Sequence, residues 1–268
     1  MNKSRFDELL QKFPALHLLV VGDIFLDKYL DIDPALSETS LETGLEAYQV
    51  VRIRHSPGAG GTVVANLRAM DVPVSVVSVI GRDGAGFDLR QDLARLGVDM
   101  AGLLETPDRF TPTYTKPLVH PPEGGPPREL NRLDIKNRRP LPAELETAVL
   151  AQVERLLPAV SGVVIADQVP ERNCGVITDR VRAGLSRLAA QYPAKPFLVD
   201  SRTRIGEFAG VMLKPNIHEA RAAVAGQSQP DDIAAGDLLA AARRYGSALY
   251  ERNRQAVFVT LGEQGILA

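Results

Sequence analysis

Cysteine is nearly absent: Cys174 is the single one in 268 residues, so no internal disulfide framework can form and a reducing, cytoplasmic setting is expected. An excess of one charge sign is missing too. Lys and Arg number 31 against 33 Asp and Glu, a net charge of -2, which shows no commitment to nucleic acid or to a membrane surface. No apolar run approaches transmembrane length, and Lys3, Arg5, Asp7, Glu8 and Lys12 break up the segment 1–15, which lacks the apolar core of a signal peptide. His17, His55, His120 and His218 show no metal-ligand spacing. A P-loop, a G-x-S-x-G elbow and a G-x-G-x-x-G turn after a core strand are all missing. Those absences count against an α/β-hydrolase and a nicotinamide-dependent oxidoreductase. Cys174 lies near a helix start, where a thiolate would be stabilised, but an incidental buried thiol is the simpler reading.

What is present is ordinary for a globular chain, with 45% hydrophobic and 24% charged residues. Ser4 and Asp7, with Phe6, Leu9, Leu10 and Phe13, predict a capped amphipathic helix ended by Pro14. Short apolar runs suit buried parallel strands: HLLVVGD, VSVVSVIG from Val74, GVVIAD from Gly162, PFLVD from Pro196 and AVFVTLG from Ala256. Between them Leu89, Leu93 and Leu96 share one helical face, as do Leu145, Val149, Val153 and Leu156, and then Val181, Leu185 and Leu188. Strands alternating with helices predict an α/β domain over 1–268 on a doubly wound, mostly parallel sheet. Two regions break the rhythm. From about 28 to 55 the segment VVRIRH alternates apolar and basic residues, and from about 111 to 135 YTKPLV and RELNRLDI flank the Pro-rich loop HPPEGGPP. Together they predict a small β-sheet projecting from the main one as a lid.

Ligands of open α/β sheets bind beyond the carboxyl ends of the strands, which directs attention to Asp23, Asp27, Asp83, Asp167 and Asp200. Such carboxylates can accept from sugar hydroxyls or hold a cation, or simply cap the next helix. Glycines 58, 60 and 61 in SPGAGGTVVANLRAM let a backbone approach a ligand at a helix start, or form only a tight turn. In MLKPNIHEA, Asn216 and Glu219 fit both a ligand site and a plain capping box. In VTLGEQGIL, Thr260, Gly262 and Gly265 suit a hairpin or a nucleotide-contacting turn.

The order of these signals says more than any one of them. GD…LD after the first strand, a glycine segment opening a helix, an alternating lid, KPNxxE and VTLGxxG resemble the ribokinase-like (PfkB) carbohydrate kinases along essentially the whole chain. VVGDIFLDKY, LNRLD and VVIADQV look most like its heptose-phosphate kinase branch. The resemblance implies that Asp27 and Asp23 bind sugar hydroxyls and that Gly58, Gly60, Gly61 and Thr62 wrap the sugar. The family carries Asn where Thr62 stands, and Asn66, one turn on, would substitute. Asn216 and Glu219, beside Lys214, would position Mg²⁺ and the phosphates of ATP, and Thr260, Gly262 and Gly265 would meet the nucleotide. The implied reaction moves the ATP γ-phosphoryl group to a sugar hydroxyl, with the lid excluding water. Lys116 and Arg132, with Arg52, Arg54 and Arg128, would receive a phosphate already on the sugar, or form only a solvated face. The family's G-A-G-D motif, with its catalytic Asp, is expected beyond Ala268, so residues 1–268 alone are expected to be nearly inert. A homodimer through the lid is one further implication. The alternative is a non-catalytic sugar- or nucleotide-binding protein on the same fold.

Overall fold

The computed structural model describes residues 2–121, 124–226 and 238–268, so Met1 and two residues of the HPPEGGPP loop, Pro122 and Glu123, lie outside the described residues. The chain opens with helix α1 (Lys3–Lys12), then β1 (Leu18–Gly22), β2 (Ile24–Ile32), a small hairpin of β3 (Glu38–Thr39) and β4 (Glu46–Ala47), and β5 (Val50–Ala59). Next come α2 (Gly60–Ala69), β6 (Val74–Gly81), α3 (Gly84–Arg95), β7 (Asp99–Thr106), β8 (Thr113–Val119), β9 (Arg128–Glu129) and β10 (Leu133–Ile135). The remainder comprises α4 (Ala143–Leu156), β11 (Gly162–Asp167), α5 (Asp179–Gln191), β12 (Phe197–Ser201), β13 (Met212–Leu213), α6 (Ile217–Ala225), α7 (Leu238–Asn253), β14 (Val259–Thr260) and β15 (Ile266–Leu267).

The central sheet has six parallel strands in the order β13-β12-β11-β1-β6-β7. Side chains alternate across β1: Leu19 and Val21 join the core under α4, α5, α6 and α7, while Val20 joins the one under α2 and α3. Both faces are therefore covered, as the apolar runs predicted. A second sheet, ordered β10-β8-β2-β5, grows from the first. Gly22 makes the transition. Its φ is +137°, and a methyl group there would stand 2.1 Å from the carbonyl oxygen of Ala166, so only glycine fits. Only Asp23 separates it from β2. Among the described residues no helix is long and apolar enough to cross a membrane.

Several local expectations need correction. The first helix is capped by Asn2, whose side chain accepts from Arg5 N, rather than by Ser4. RELNRLDI forms two short strands, because Pro117 of β8 has no N–H to return to Leu130, whose own N–H donates to the Pro117 carbonyl. AVFVTLG yields only β14, joined to its neighbours by the isolated bridges Leu213–Val257 and Asn216–Thr260. The alternation in VVRIRH puts Arg52 and Arg54 on the face shared with Asp31 and Tyr29, and leaves Ile53 on the other face, 56% exposed.

Candidate active site

One set of predicted residues gathers where β2 leaves the central sheet. Asp27 pairs with Ser56 of β5 on one side and with Tyr114 of β8 on the other. Its carboxylate meets Lys116 Nζ at 3.1 Å, and a methyl group at Gly58 would stand 2.6 Å from its Oδ2. Gly58 thus leaves the room that the carboxylate occupies. The same face carries Tyr29, with Arg54 5.1 Å and Lys116 4.9 Å from its ring centre, and Tyr114, with Arg132 at 4.3 Å. Burial and then the Asp134 charge push the Tyr114 phenol up, while Arg132 and Arg202 oppose the shift. Phe25 packs edge-on against Tyr114 and, with Arg109, Lys136 and Val176, lines a narrow cavity beside Asp23.

Asp23 is placed differently from Asp27. It is buried, and its carboxylate accepts from three backbone amides, Gln168 N at 2.8 Å, Val169 N at 3.1 Å and Val176 N at 2.7 Å. Gly175 must be glycine-like here, since a methyl group would lie 2.6 Å from Asp23 Oδ1. The Asp23 carbonyl also accepts from Gly60 N, which ties the start of α2 to the end of β1. Burial first, and the nearby Asp167 charge second, push its pKa from 3.8 to about 6 against the pull of those amides. Asp23 therefore pins the 168–176 loop and the glycine turn to one point.

Gly60 and Gly61 open α2, and Thr62 and Asn66 lie exposed on it one turn apart. Ala59, the residue before them, holds φ +55° and ψ −121°, which an L-alanine adopts only under strain. Of the predicted phosphate-binding cations, Arg52 and Arg54 are engaged by Asp31, a buried carboxylate of β2 that also contacts His120. Hydrogen bonding from Arg54 above all holds Asp31 well below the usual carboxylate range, and burial opposes it. Arg132 forks onto Asp134 at 2.6 and 2.8 Å.

The second set lies across the sheet, at the start of α6. Asn216 Oδ1 accepts from Glu219 N and Glu219 Oε2 accepts from Asn216 N, both at 2.8 Å, a complete capping box. Lys214 pairs with Asp200 at 3.0 Å. Burial pushes the Glu219 carboxyl up, and the Asp200 charge adds to that against Asn216 N, Lys214 and Arg202. Thr260 joins this set, since Thr260 N donates to the Pro215 carbonyl and its strand bridges Asn216. Gly262 and Gly265 turn the β14–β15 hairpin at φ +61° and +92°, with open space where a side chain would be. Among the described residues no group of three or more His, Cys, Asp or Glu side chains is placed to hold a metal.

Sequence reasoning missed Asp31, Tyr29, Tyr114 and the buried pair of Arg204 with Asp167, 2.8 Å apart. Each depends on strand register between distant segments, for which no local pattern gives a signal.

Comparison with known proteins places this geometry. Residues 29–268 match the model of the pfkB family carbohydrate kinases. The Bifunctional protein HldE of Trichlorobacter lovleyi is 30% identical over 225 residues, covering 83% of this chain and 43% of that protein. The HldE of Pelobacter propionicus is 28% identical over 269 residues, covering 99% of this chain and 51% of its own length. The chain thus spans about half the length of the curated relatives it matches. Among solved structures, phosphofructokinase-2 of Escherichia coli in complex with fructose-6-phosphate superposes with a TM-score of 0.63 at 19% identity, covering 94% of this chain and 76% of the other. Ribokinase of Cryptococcus neoformans in complex with ADP gives 0.57 at 18% identity, covering 94% and 75%. At those identities the two structures speak for the fold alone.

Proposed function

The chain belongs to the pfkB family of carbohydrate kinases, and from that premise we propose that it binds a sugar or sugar phosphate at Asp27 and ATP at the start of α6. The reaction served is transfer of the γ-phosphoryl group to a sugar hydroxyl. The second sheet acts as the lid of the sugar site, and Lys116 and Arg132 face a phosphate already on the sugar. Asp27 would accept from sugar hydroxyls, and Gly58 and Gly60 would let the backbone close on the ring. Asp23 holds the surrounding loops in place and touches the sugar least.

One observation carries the reading. The sugar set lies where β2, which carries Asp27, leaves the carboxyl end of β1, and the nucleotide set follows the carboxyl end of β13, three strands away in the same parallel sheet. Three inter-strand steps of about 4.8 Å put the end of β1 about 14 Å from the end of β13, and an acceptor held by the second sheet would meet the phosphate chain over that gap.

The residues at α6 suit the nucleotide. The helix start offers backbone N–H groups to phosphates, Lys214 adds a cation, and the Gly262–Gly265 turn leaves open space. Mg²⁺ usually keeps several waters and is held by phosphates with one or two carboxylates, and Asp200 and Glu219 are the carboxylates here. Bound there, it would neutralise charge on the phosphates.

Isothermal titration of the chain with Mg²⁺, a non-hydrolysable ATP analogue and a panel of sugars and sugar phosphates tests the proposal. One sugar should bind, more tightly with nucleotide present, and Asp27→Asn should abolish sugar binding while sparing the nucleotide. Sugar binding that survives Asp27→Asn unchanged would refute the assignment. Sugar binding with no nucleotide binding would favour the non-catalytic alternative.

A further inference from the structure

Arg202 follows β12 at the carboxyl edge of the central sheet, between the two sets of site residues. Asp167 pairs with Ser201, so Arg202 stands one residue beyond the level of Asp167. Its backbone is fixed there. Arg202 N donates to the Asp167 carbonyl at 3.0 Å, Ser201 Oγ donates to Asp167 Oδ2 at 2.6 Å, and Arg204 N donates to Ser201 Oγ at 3.0 Å.

Neighbouring cations on this edge are already engaged: Lys214 by Asp200, and Arg204 by Asp167. Arg202 differs. It is exposed, and among the described residues its side chain takes part in no hydrogen bond, ion pair or ring contact. Its charge is nevertheless felt on both sides, at Tyr114 of the second sheet and at Glu219 of α6. A rigid root, an unused guanidinium and a position between acceptor and phosphate sites occur together at this residue.

We propose that Arg202 contacts the terminal phosphate of the bound nucleotide and so makes the site prefer a nucleoside triphosphate over a diphosphate. A guanidinium presents donors in a planar fork that matches two phosphate oxygens. Phosphates seated on the α6 start and extended toward Asp27 must cross β12, where only the last of them reaches Arg202. The proposal rests on the kinase reading above and names a residue to which that reading gave no role.

The test is isothermal titration of the full chain with Mg²⁺, using ADP and a non-hydrolysable ATP analogue, on the native protein, Arg202→Ala and Arg202→Lys. Arg202→Ala should weaken the triphosphate analogue about ten- to a hundredfold, the scale of a charged hydrogen bond. ADP should change by no more than about twofold, the scale of a screened surface charge. Arg202→Lys should recover part of the loss. Equal weakening of both nucleotides, or no change in either, overturns the role of Arg202 while leaving the kinase reading intact. Failure of the native chain to bind either nucleotide overturns the kinase reading and this proposal with it.

Discussion

Adding one methyl group at Gly22, Gly60 or Gly58 should separate folding from sugar binding, because the three positions meet different obstacles. At Gly22 the new carbon would stand 2.1 Å from the Ala166 carbonyl oxygen on a backbone at φ +137°. Neither obstacle can move without parting β1 from β11, so Gly22→Ala should cost more than about 4 kcal/mol, among the severest single substitutions. At Gly60 the contacts are the Asp23 carbonyl oxygen at 2.8 Å and Ala166 Cβ at 3.1 Å. That is overpacking against backbone that can shift slightly, worth about 1–3 kcal/mol. At Gly58 the obstacle is a side chain, Asp27 Oδ2 at 2.6 Å. Ordinary contact begins near 3.4 Å, so the carboxylate must retreat by 0.8 Å, and it can do so by leaving Lys116. That partly exposed ion pair is worth about 1 kcal/mol or less, and replacing glycine by alanine returns a similar amount through the unfolded chain. Gly58→Ala should therefore fold with native stability within about 1 kcal/mol. It should nevertheless bind sugar about ten- to a hundredfold more weakly, because its hydroxyl acceptor is displaced. Urea denaturation and sugar titration on the same preparations measure both quantities. If Gly58→Ala binds sugar as the native chain does, Asp27 does not make the contacts proposed for it.

Two further substitutions test the elements around that turn. Ala59→Gly should raise stability by about 1 kcal/mol, since relief of strain at φ +55° exceeds the added entropy of the unfolded glycine; an unchanged urea midpoint would mean that no strain is held there. Asp23→Asn should alter the pH dependence of stability. The folded pKa of Asp23, about 6, lies above its ordinary 3.8, so its contribution is fully present below the lower value and is lost as pH rises through the upper one. The loss is on the order of 3 kcal/mol. The variant has no such titration, so its stability relative to the native chain should improve by that order between pH 4 and pH 7.5. An equal difference at both pH values would show that Asp23 is not raised.

In the central sheet, the strands that the apolar runs revealed most plainly are those buried on both faces. Val74–Gly81 is buried at every position, and so reads as an unbroken apolar run. β7 went unseen because it lies at the sheet's edge, with Asp99, Ala101 and Glu105 exposed along it. The first helix could be placed only approximately. Asn2 and Arg5, like Ser4 and Asp7, are three residues apart, and spacing alone does not choose between two caps.

The two halves of the site differ in the same way, which bears on how each should respond to change. At α6 the contacts between Asn216 and Glu219 span three residues, so the motif and its capping geometry are written in one short segment. The proposed sugar side is assembled from distant segments. Asp31 meets Arg52 and Arg54 at separations of 21 and 23 residues and His120 at 89, and Asp23 holds Val176 at 153. Alternation in VVRIRH could announce a charged face, but it could not reveal that a buried carboxylate on another strand would neutralise it. Local capping survives substitution elsewhere in the chain, whereas a face assembled by register shifts when any of β2, β5 or β8 moves. Differences in sugar preference among proteins of this architecture should therefore arise from the second sheet and its connecting loops, while the α6 start stays the same.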